Sequence, residues 1–178
     1  MRIVSILVTI ILSFSLLACA DGGIASNDER LIDSQDFSRA EVIRVVDGDT
    51  LIVRLSSGDE DRLRLIGINA HESVAPDESR NTKEGELASD FMKSLVEPGD
   101  EVWLVRDVSE RDQYERLLRY VWLELPEDPY DKTEVATKMV NGILVAQGHA
   151  QAKDYAPDSS YKEIFKEIEV NAAPAFAA

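Results

Sequence analysis

Residues 41–55 read EVIRVVDGDTLIVRL, a stretch with the pattern of two strands joined by a turn. Apolar and polar residues alternate over residues 41–46 and again over residues 50–55, which is the period of a half-buried β-strand. Asp47-Gly48 between the two runs is a strong signal for a tight turn. The stretch therefore predicts an antiparallel hairpin that carries two acids, Asp47 and Asp49, at its turn.

The strand period recurs three times after the hairpin. The predicted strands are Asp61 to Ile68, Glu101 to Arg106 and Arg116 to Leu123. After the first of these, Leu87, Phe91 and Leu95 recur at helical spacing, so residues 84–96 predict a helix that Pro98-Gly99 ends. Strands linked by hairpins in this way are typical of a meander or a small barrel.

Two shorter helices are predicted near the C-terminus. Asn141 is placed to cap a helix that continues through Gln147, with Gly148 as its stop. Ser160-x-x-Glu163 has the spacing of a capping box and precedes an apolar helical stripe. Residues 125–133 predict a hairpin tip, and residues 171–178 predict a frayed tail.

The composition fits one soluble domain with appendages. The chain has 178 residues, of which 44% are hydrophobic and 30% are charged, as in ordinary globular proteins. Its formal net charge is -15 at pH 7. Because nucleic-acid backbones are bound through Lys and Arg, this acidic balance predicts weak non-specific affinity for nucleic acids.

The N-terminal residues predict export and lipidation. Arg2 is followed by an apolar run, Ile3 to Leu17, which is short for a membrane-spanning helix and typical of a secretory signal. Leu16-Leu17-Ala18-Cys19 resembles the lipobox of bacterial lipoproteins, which implies cleavage before Cys19 and a diacylglycerol on its sulfur. The alternative is plain secretion with an unmodified thiol.

These patterns divide the chain into four parts. Residues 1–18 are a lipoprotein signal peptide, 19–38 a flexible tether, 39–170 the folded domain and 171–178 the tail. We expect the protein outside the cytoplasm, as a membrane-anchored lipoprotein at the cell surface or in the periplasm. Cys19 is the only cysteine in the sequence, so no intramolecular disulfide can form.

Three short motifs bring carboxylates, an amide and two arginines to strand ends. They are Asp47-Gly48-Asp49-Thr50, then Arg64 with Asn69-Ala70-His71-Glu72, then Asp112-Gln113-Tyr114-Glu115-Arg116. Oxygen-rich side chains suit a hard cation, and guanidinium groups suit phosphate. In this order and spacing, the motifs resemble the staphylococcal nuclease (thermonuclease) family.

The resemblance implies both a fold and an activity. The fold is α+β and mainly β, a five-stranded OB-fold barrel with about three helices. The activity is that of a calcium-dependent endo- and exonuclease that cleaves DNA and RNA, prefers single strands and leaves 3′-phosphate ends. The resemblance also implies a monomer. It makes Asp49 a direct Ca²⁺ ligand, with Asp47 in a supporting role nearby.

Two further ligand positions depart from the family pattern. The best-known members carry a carboxylate where Asn69 stands and a threonine where Ala70 stands. An amide oxygen and a backbone carbonyl both coordinate calcium, so we expect the site to persist with lower affinity. His71 replaces a proline that shapes the turn, and we interpret it as a loop residue because imidazole suits softer ions.

The same resemblance assigns the catalytic residues. Glu72 matches the glutamate that orients or deprotonates the attacking water. Arg64 and Arg116 match the arginines that hold the scissile phosphate, and Tyr114 is expected to bind substrate. Without the family pattern, Glu72 would be an exposed loop acid and Arg64 a surface residue. Three nearby arginines are interpreted as surface residues: Arg62, Arg111 and Arg119.

Two functions remain open from the sequence. The first is the extracytoplasmic, lipid-anchored nuclease just described. The alternative is a non-catalytic OB-fold module of the same family that binds a nucleic acid, peptide or glycan at the cell envelope. Asn69, the loss of a basic residue at Gln113 and the acidic surface favour the module, whereas Arg64, Glu72 and Arg116 together favour the enzyme.

Overall fold

The computed structural model describes residues 32–70 and 82–172. Within these ranges a short 3₁₀ helix, Ser34–Asp36, precedes seven strands and four α-helices. The strands are β1 Phe37–Asp47, β2 Thr50–Leu55, β3 Glu60–Leu65, β4 Ile68–Ala70, β5 Glu101–Val105, β6 Leu117–Trp122 and β7 Ala150–Ala152. The helices are α1 Lys83–Leu95, α2 Lys132–Lys138, α3 Val140–Ala146 and α4 Lys162–Val170.

Five strands close a barrel in the order β1, β2, β3, β6 and β5. Neighbouring strands are antiparallel, except that β3 and β6 run parallel. The inward face of each strand fills the barrel, and Leu51, Val53, Leu63 and Leu65 are fully buried. The predicted α+β, mainly β class with a five-stranded OB-type barrel is confirmed.

Gly67 interrupts the third predicted strand, which was expected to continue to Ile68. Strand β3 ends at Leu65, and Gly67 has a φ of 77°, a conformation that L side chains rarely adopt. A Cβ at this position would also lie 2.5 Å from the ring of Phe165. The chain therefore leaves the barrel at Gly67, and β4 pairs with β7 in a separate two-stranded sheet.

The β1–β2 turn packs closely against its neighbours. Asp47 pairs with Thr50 across the turn, as the hairpin signal predicts. A Cβ at Gly48 would lie 2.9 Å from the Cβ atoms of both Ala70 and Ala88, closer than packed carbons approach. Because these three residues are small, the hairpin turn, β4 and α1 meet at one point.

Asn141 does not cap a helix, contrary to the prediction. Helix α3 begins at Val140, and Asn141 is fully buried in its first turn. The Asn141 side chain donates from Nδ2 to the Ile66 carbonyl (2.8 Å) and accepts at Oδ1 from the Val121 amide (3.0 Å). Buried backbone groups need hydrogen-bond partners. Asn141 supplies them to Val121 on β6 and to Ile66 just after β3, and this role outweighs capping.

The predicted capping box at Ser160 is also wrong. The Ser160 hydroxyl and amide each donate to the buried carboxylate of Asp107 at 2.9 Å, and helix α4 begins only at Lys162. A buried carboxylate requires donors, and the Tyr120 hydroxyl supplies another at 2.8 Å. The apolar stripe of α4 is confirmed, because Phe165 and Ile168 are buried in the core and Ile164 packs against it.

The predicted hairpin tip and the predicted tether both end earlier in the structure than the sequence indicates. The stretch predicted as a hairpin tip, residues 125–133, runs into helix α2, which Asp131 caps by accepting from the Glu134 amide (2.8 Å). The last residues assigned to the tether pack on the domain, because Ile32 is buried and its amide donates to the Tyr130 hydroxyl (2.7 Å).

In the ranges 32–70 and 82–172, no helix has the length and the apolar run needed to cross a membrane. The predicted signal peptide and the lipidation site Cys19 lie outside the described residues, as do residues 173–178 of the predicted tail.

Replacing Asn141 with alanine should lower the free energy of unfolding by about 2–4 kcal/mol, because two buried backbone groups lose their partners. Urea denaturation followed by circular dichroism measures the change. Asn171→Ala is the matched control, since the exposed Asn171 side chain donates to the Glu167 carbonyl (2.8 Å) at the end of its own helix. Equal losses in the two variants would contradict the structural role of Asn141.

Candidate functional site

Asp49 is a buried carboxylate at the hairpin turn, with 4% exposure. Its Oδ1 accepts from the Thr50 hydroxyl (3.1 Å) and pairs with the Arg64 guanidinium, and its Oδ2 accepts from the Ala70 amide (3.1 Å). Burial raises the pKa of the Asp49 carboxyl above its ordinary value, and these contacts offset that rise only in part. The charge of neighbouring Asp47 raises it further, so the two acids of the turn lie close together.

Arg64 joins the Asp49 carboxylate to the Asn69 amide. Arg64 lies on β3 opposite Thr50, and its side chain is 15% exposed. One terminal nitrogen pairs with Asp49, and the other donates to Asn69 Oδ1 (3.3 Å) and, more weakly, to the Ile68 carbonyl (3.5 Å). The alternative interpretation of Arg64 as a surface residue is therefore wrong.

Strand β4 directs the backbone of Ala70 towards Asp49. The Lys153 amide donates to the Gly67 carbonyl (2.9 Å). In an antiparallel pair every second residue bonds the partner strand, so Asn69 is the next residue of β4 whose backbone faces β7. The backbone of Ala70 then faces the opposite edge, where its amide reaches the Asp49 carboxylate. By the same alternation, the Ala70 carbonyl belongs to that edge of β4 as well.

The side-chain oxygen of Asn69 is held by two long contacts. Its Oδ1 accepts from Arg64 at 3.3 Å and from the Tyr155 hydroxyl at 3.4 Å. Both distances lie beyond the usual range for hydrogen bonds, so the oxygen is weakly bound. A stronger positive partner can therefore compete for it.

These donors fit the chemistry of a calcium ion. Asp49 offers a carboxylate, Asn69 an amide oxygen and Ala70 a backbone carbonyl, all hard oxygen ligands that Ca²⁺ prefers. Among the residues that the structure describes, no three His, Cys, Asp or Glu side chains come together as a metal site. Of the three donors named here only Asp49 is an acid, so this donor set carries little negative charge.

Arg116 ends a five-residue turn that is built on Asp112. Asp112 Oδ1 accepts from the amides of Tyr114 (2.8 Å) and Arg116 (3.0 Å), and Oδ2 accepts from Arg116 Nε (2.7 Å). Burial alone would raise the pKa of Asp112, but the hydrogen bonds from Arg116 and Tyr114 lower it overall. The Arg116 guanidinium also lies 5.4 Å from the centre of the Tyr114 ring, within cation–π range.

Both arginines line one pocket, of about 330 Å³, next to the Asp49 cluster. Tyr114 lines the same pocket and is 70% exposed, so most of its ring is open to a ligand. Such a pocket lies at the small end of the range for ligand sites. The structure thus brings together seven predicted residues of the site: Asp47, Asp49, Arg64, Asn69, Ala70 and, further away, Tyr114 and Arg116.

Two pocket residues were missed in the sequence. Tyr155 lines the pocket and contacts Asn69. Asp158 also lines the pocket and is buried, and its carboxylate accepts from the amides of Val108 (3.0 Å) and Ser109 (2.7 Å). The stretch from Tyr155 to Asp158 has no periodicity, and its proline indicates only a turn. Nothing in the sequence places this turn beside Arg116.

Several predicted residues have other outcomes. Glu72 and His71 lie outside the described residues, so the role of Glu72 stays a prediction. Arg62 and Arg111 are exposed, as expected. The prediction for Arg119 is wrong: its side chain is 11% exposed and donates to Glu110 (2.5 Å).

Two comparisons with known proteins bear on this site. The family model described as "Staphylococcal nuclease homologue" matches residues 62–175. The chain is 36% identical over 132 residues to a protein named "Thermonuclease" from Staphylococcus hyicus, which covers 74% of this chain and 69% of the relative. It is 34% identical over 131 residues to a second "Thermonuclease", from Staphylococcus intermedius, with the same coverage of both chains.

Replacing Asp112 with asparagine should lower the free energy of unfolding at pH 7 by about 1–3 kcal/mol, because the Arg116 contacts are charge-assisted. The pKa of Asp112 is lowered in the folded state, so its contribution is present above the pKa of the unfolded chain and is lost as pH falls through the folded value. Urea denaturation at a series of pH values between 7 and 3 should show the two proteins converging in acid. A pH-independent difference would contradict this account.

Proposed function

The chain belongs to the staphylococcal nuclease family, and on that premise we propose that it is a calcium-dependent nuclease that works outside the cytoplasm. The reaction is hydrolysis of phosphodiester bonds in DNA and RNA, preferably in single strands, with 3′-phosphate products. The observation that carries this proposal is the convergence of Arg64 and Arg116 on one pocket beside the Asp49 cluster.

The two arginines bind and neutralise the scissile phosphate in this proposal. Guanidinium groups present paired donors that match phosphate oxygens, and they stabilise the charge that develops in the transition state. Arg116 is held from one side by Asp112, which fixes the direction of its planar group. The exposed Tyr114 ring lies against Arg116 and offers the substrate an aromatic surface.

The oxygen cluster is the place for calcium. Asp49, the Asn69 amide oxygen and the Ala70 carbonyl would hold the ion, with Asp47 adding negative charge nearby. When bound, calcium supplies positive charge to the phosphate and acidifies water. Glu72, three residues beyond Asn69 in the sequence, orients or deprotonates the attacking water.

Location and affinity fit together in this proposal. Lipidation of Cys19 would anchor the domain at the outer side of a membrane, and the enzyme would act there as a monomer. A site with one carboxylate and one amide binds calcium weakly, and extracellular calcium sites work at roughly 10⁻⁴–10⁻³ M. The net charge of -15 favours rapid release of nucleic acids.

A second function is a non-catalytic binding module at the cell envelope. The observation that favours it is that both arginines are paired with acids, Arg64 with Asp49 and Arg116 with Asp112. Paired guanidinium groups attract phosphate less, and the low charge of the donor set weakens calcium binding. In that case the fold would present the pocket for binding without hydrolysis.

Digestion of single-stranded DNA during a calcium titration, with and without a chelator, separates the two functions. The nuclease proposal expects calcium-dependent cleavage that the chelator abolishes, and 3′-phosphate ends on the products. Binding of the DNA without any cleavage at millimolar calcium would establish the module instead.

Arg116→Lys should lower kcat about 100-fold although the charge is kept, because lysine cannot grip Asp112 and a phosphate with one planar group. Steady-state hydrolysis of a short single-stranded DNA measures the effect. Arg54→Lys is the control, since the exposed Arg54 pairs with Glu41 and Glu60 and is not among the described residues that line the pocket. Equal activities of the two variants would show that Arg116 contributes only general attraction.

Asn69→Asp should tighten calcium binding by roughly tenfold or more, because affinity at such sites follows ligand charge. Calorimetric titration with calcium at one fixed ionic strength tests this. Asn171→Asp adds the same charge at an exposed position outside the pocket, and we expect no change in that control. Equal calcium affinities of the Asn69 variant and the native chain would place Asn69 outside the metal site.

A further inference from the structure

The turn that carries Arg116 contains a residue in an unusual backbone conformation. Glu115 has a φ of 61°, and it is the one non-glycine residue with positive φ in the ranges 32–70 and 82–172. This left-handed conformation is unfavourable for a residue with a Cβ and persists only where surrounding contacts hold it. Glu115 immediately precedes Arg116, so its conformation sets the direction in which Arg116 leaves the turn.

Arg111 holds this residue from outside the turn. Its Nη1 donates to the Glu115 carbonyl at 2.6 Å. The same guanidinium donates to both oxygens of Asp61, at 3.1 Å from Nη1 and 2.5 Å from Nη2. The fork geometry fits a carboxylate through two parallel bonds, which fixes the plane of the guanidinium.

Asp61 ties this contact to the barrel. It lies on β3, three residues before Arg64, whereas Arg111 lies fifty residues further along the chain. The hydrogen bond from Arg111 lowers the pKa of Asp61 despite partial burial, so the carboxylate stays charged down to low pH. One set of contacts therefore runs from the strand of Arg64 to the turn of Arg116.

We propose that Asp61 and Arg111 are positioning residues for Arg116, acting through the Glu115 carbonyl. Asp61 orients Arg111, Arg111 holds Glu115 in its left-handed conformation, and that conformation places the Arg116 guanidinium at the pocket. The proposal rests on the proposed function, in which Arg116 holds the scissile phosphate. Neither Asp61 nor Arg111 is among the described residues that line the pocket, so the proposed role is exerted through Arg116.

An ion pair that only stabilises the surface would behave differently. Exposed ion pairs contribute little, and Arg54 supplies such a pair with Glu41 and Glu60 at a similar side-chain exposure, 41% against 37% for Arg111. Arg54 donates to the carboxylates of Glu41 and Glu60, whereas Arg111 also donates to a backbone carbonyl in the strained turn. Arg54 is therefore a matched control for lost charge and lost ion pairing.

The test compares Arg111→Met, Asp61→Asn and the double variant with Arg54→Met, in calcium-dependent hydrolysis of a short single-stranded DNA. We expect kcat to fall about tenfold in the first three variants with KM changed less than about twofold, because the arginine acts mainly on the transition state. The double variant should lose no more than Arg111→Met. Arg54→Met should keep its kcat, and equal kcat values for Arg54→Met and Arg111→Met would overturn the proposal.

A glycine at position 115 provides a rescue experiment. Glycine adopts positive φ without a steric penalty, so Glu115→Gly should restore most of the kcat that Arg111→Met loses. Failure of the glycine to restore kcat would overturn the assigned path through the Glu115 carbonyl.

Backbone amide exchange keeps this proposal separate from the proposed function. The Arg116 amide donates to Asp112 Oδ1 (3.0 Å), and its exchange rate can be followed by NMR in protein without substrate. We expect exchange at this amide to be about tenfold faster in Arg111→Met than in Arg54→Met. An unchanged exchange rate in Arg111→Met would overturn the positioning role. If exchange is faster in Arg111→Met but the native protein cleaves no DNA, only the nuclease function is overturned.

Discussion

The buried charge of Asp49 is the constraint on which the site depends. A carboxylate with 4% exposure is costly to ionise and must be compensated by donors and positive charge. The fold supplies Thr50, the Ala70 amide and Arg64, and it can do so because Gly48 lets the hairpin turn approach β4 and α1 closely. The closed barrel, the break at Gly67 and the short β4 strand all serve to bring these groups together.

In the proposed function, Arg64 would link the calcium site to the phosphate site. In this structure its guanidinium compensates Asp49 and contacts Asn69, so it occupies the oxygens that a cation would use. A cation at Asp49 would release Arg64 towards a phosphate in the pocket, and a phosphate that draws Arg64 away would leave Asp49 ready for a cation. Binding of the two ligands should therefore be mutually favourable. The amide at Asn69 gives the site less negative charge than a carboxylate would. A cation therefore competes less strongly with Arg64 for the oxygens of Asp49 and Asn69.

The sequence predicted the local elements well where one pattern decides them. The alternation around Asp47-Gly48 predicted the β1–β2 hairpin, and the spacing of Leu87, Phe91 and Leu95 predicted helix α1. It failed where a distant partner outweighs a local preference. Asn141 has the chemistry of a cap but bonds Ile66 and Val121 across the core, and Ser160 bonds the buried Asp107. Tyr155 lines the pocket and Arg111 contacts the turn of Arg116, and both lie in stretches without periodicity, so their positions follow only from the three-dimensional structure.

In the proposed function, Asp49 and its neighbours form a calcium site, and the bound ion releases Arg64 to a phosphate. A crystal structure of the protein grown with calcium and a phosphorothioate dinucleotide tests it most directly. The account predicts an anomalous difference peak between the Asp49 carboxylate and the Ala70 carbonyl, with the guanidinium of Arg64 on the phosphorothioate group. A peak elsewhere, or an Arg64 still paired with Asp49 while the dinucleotide occupies the pocket, would contradict it.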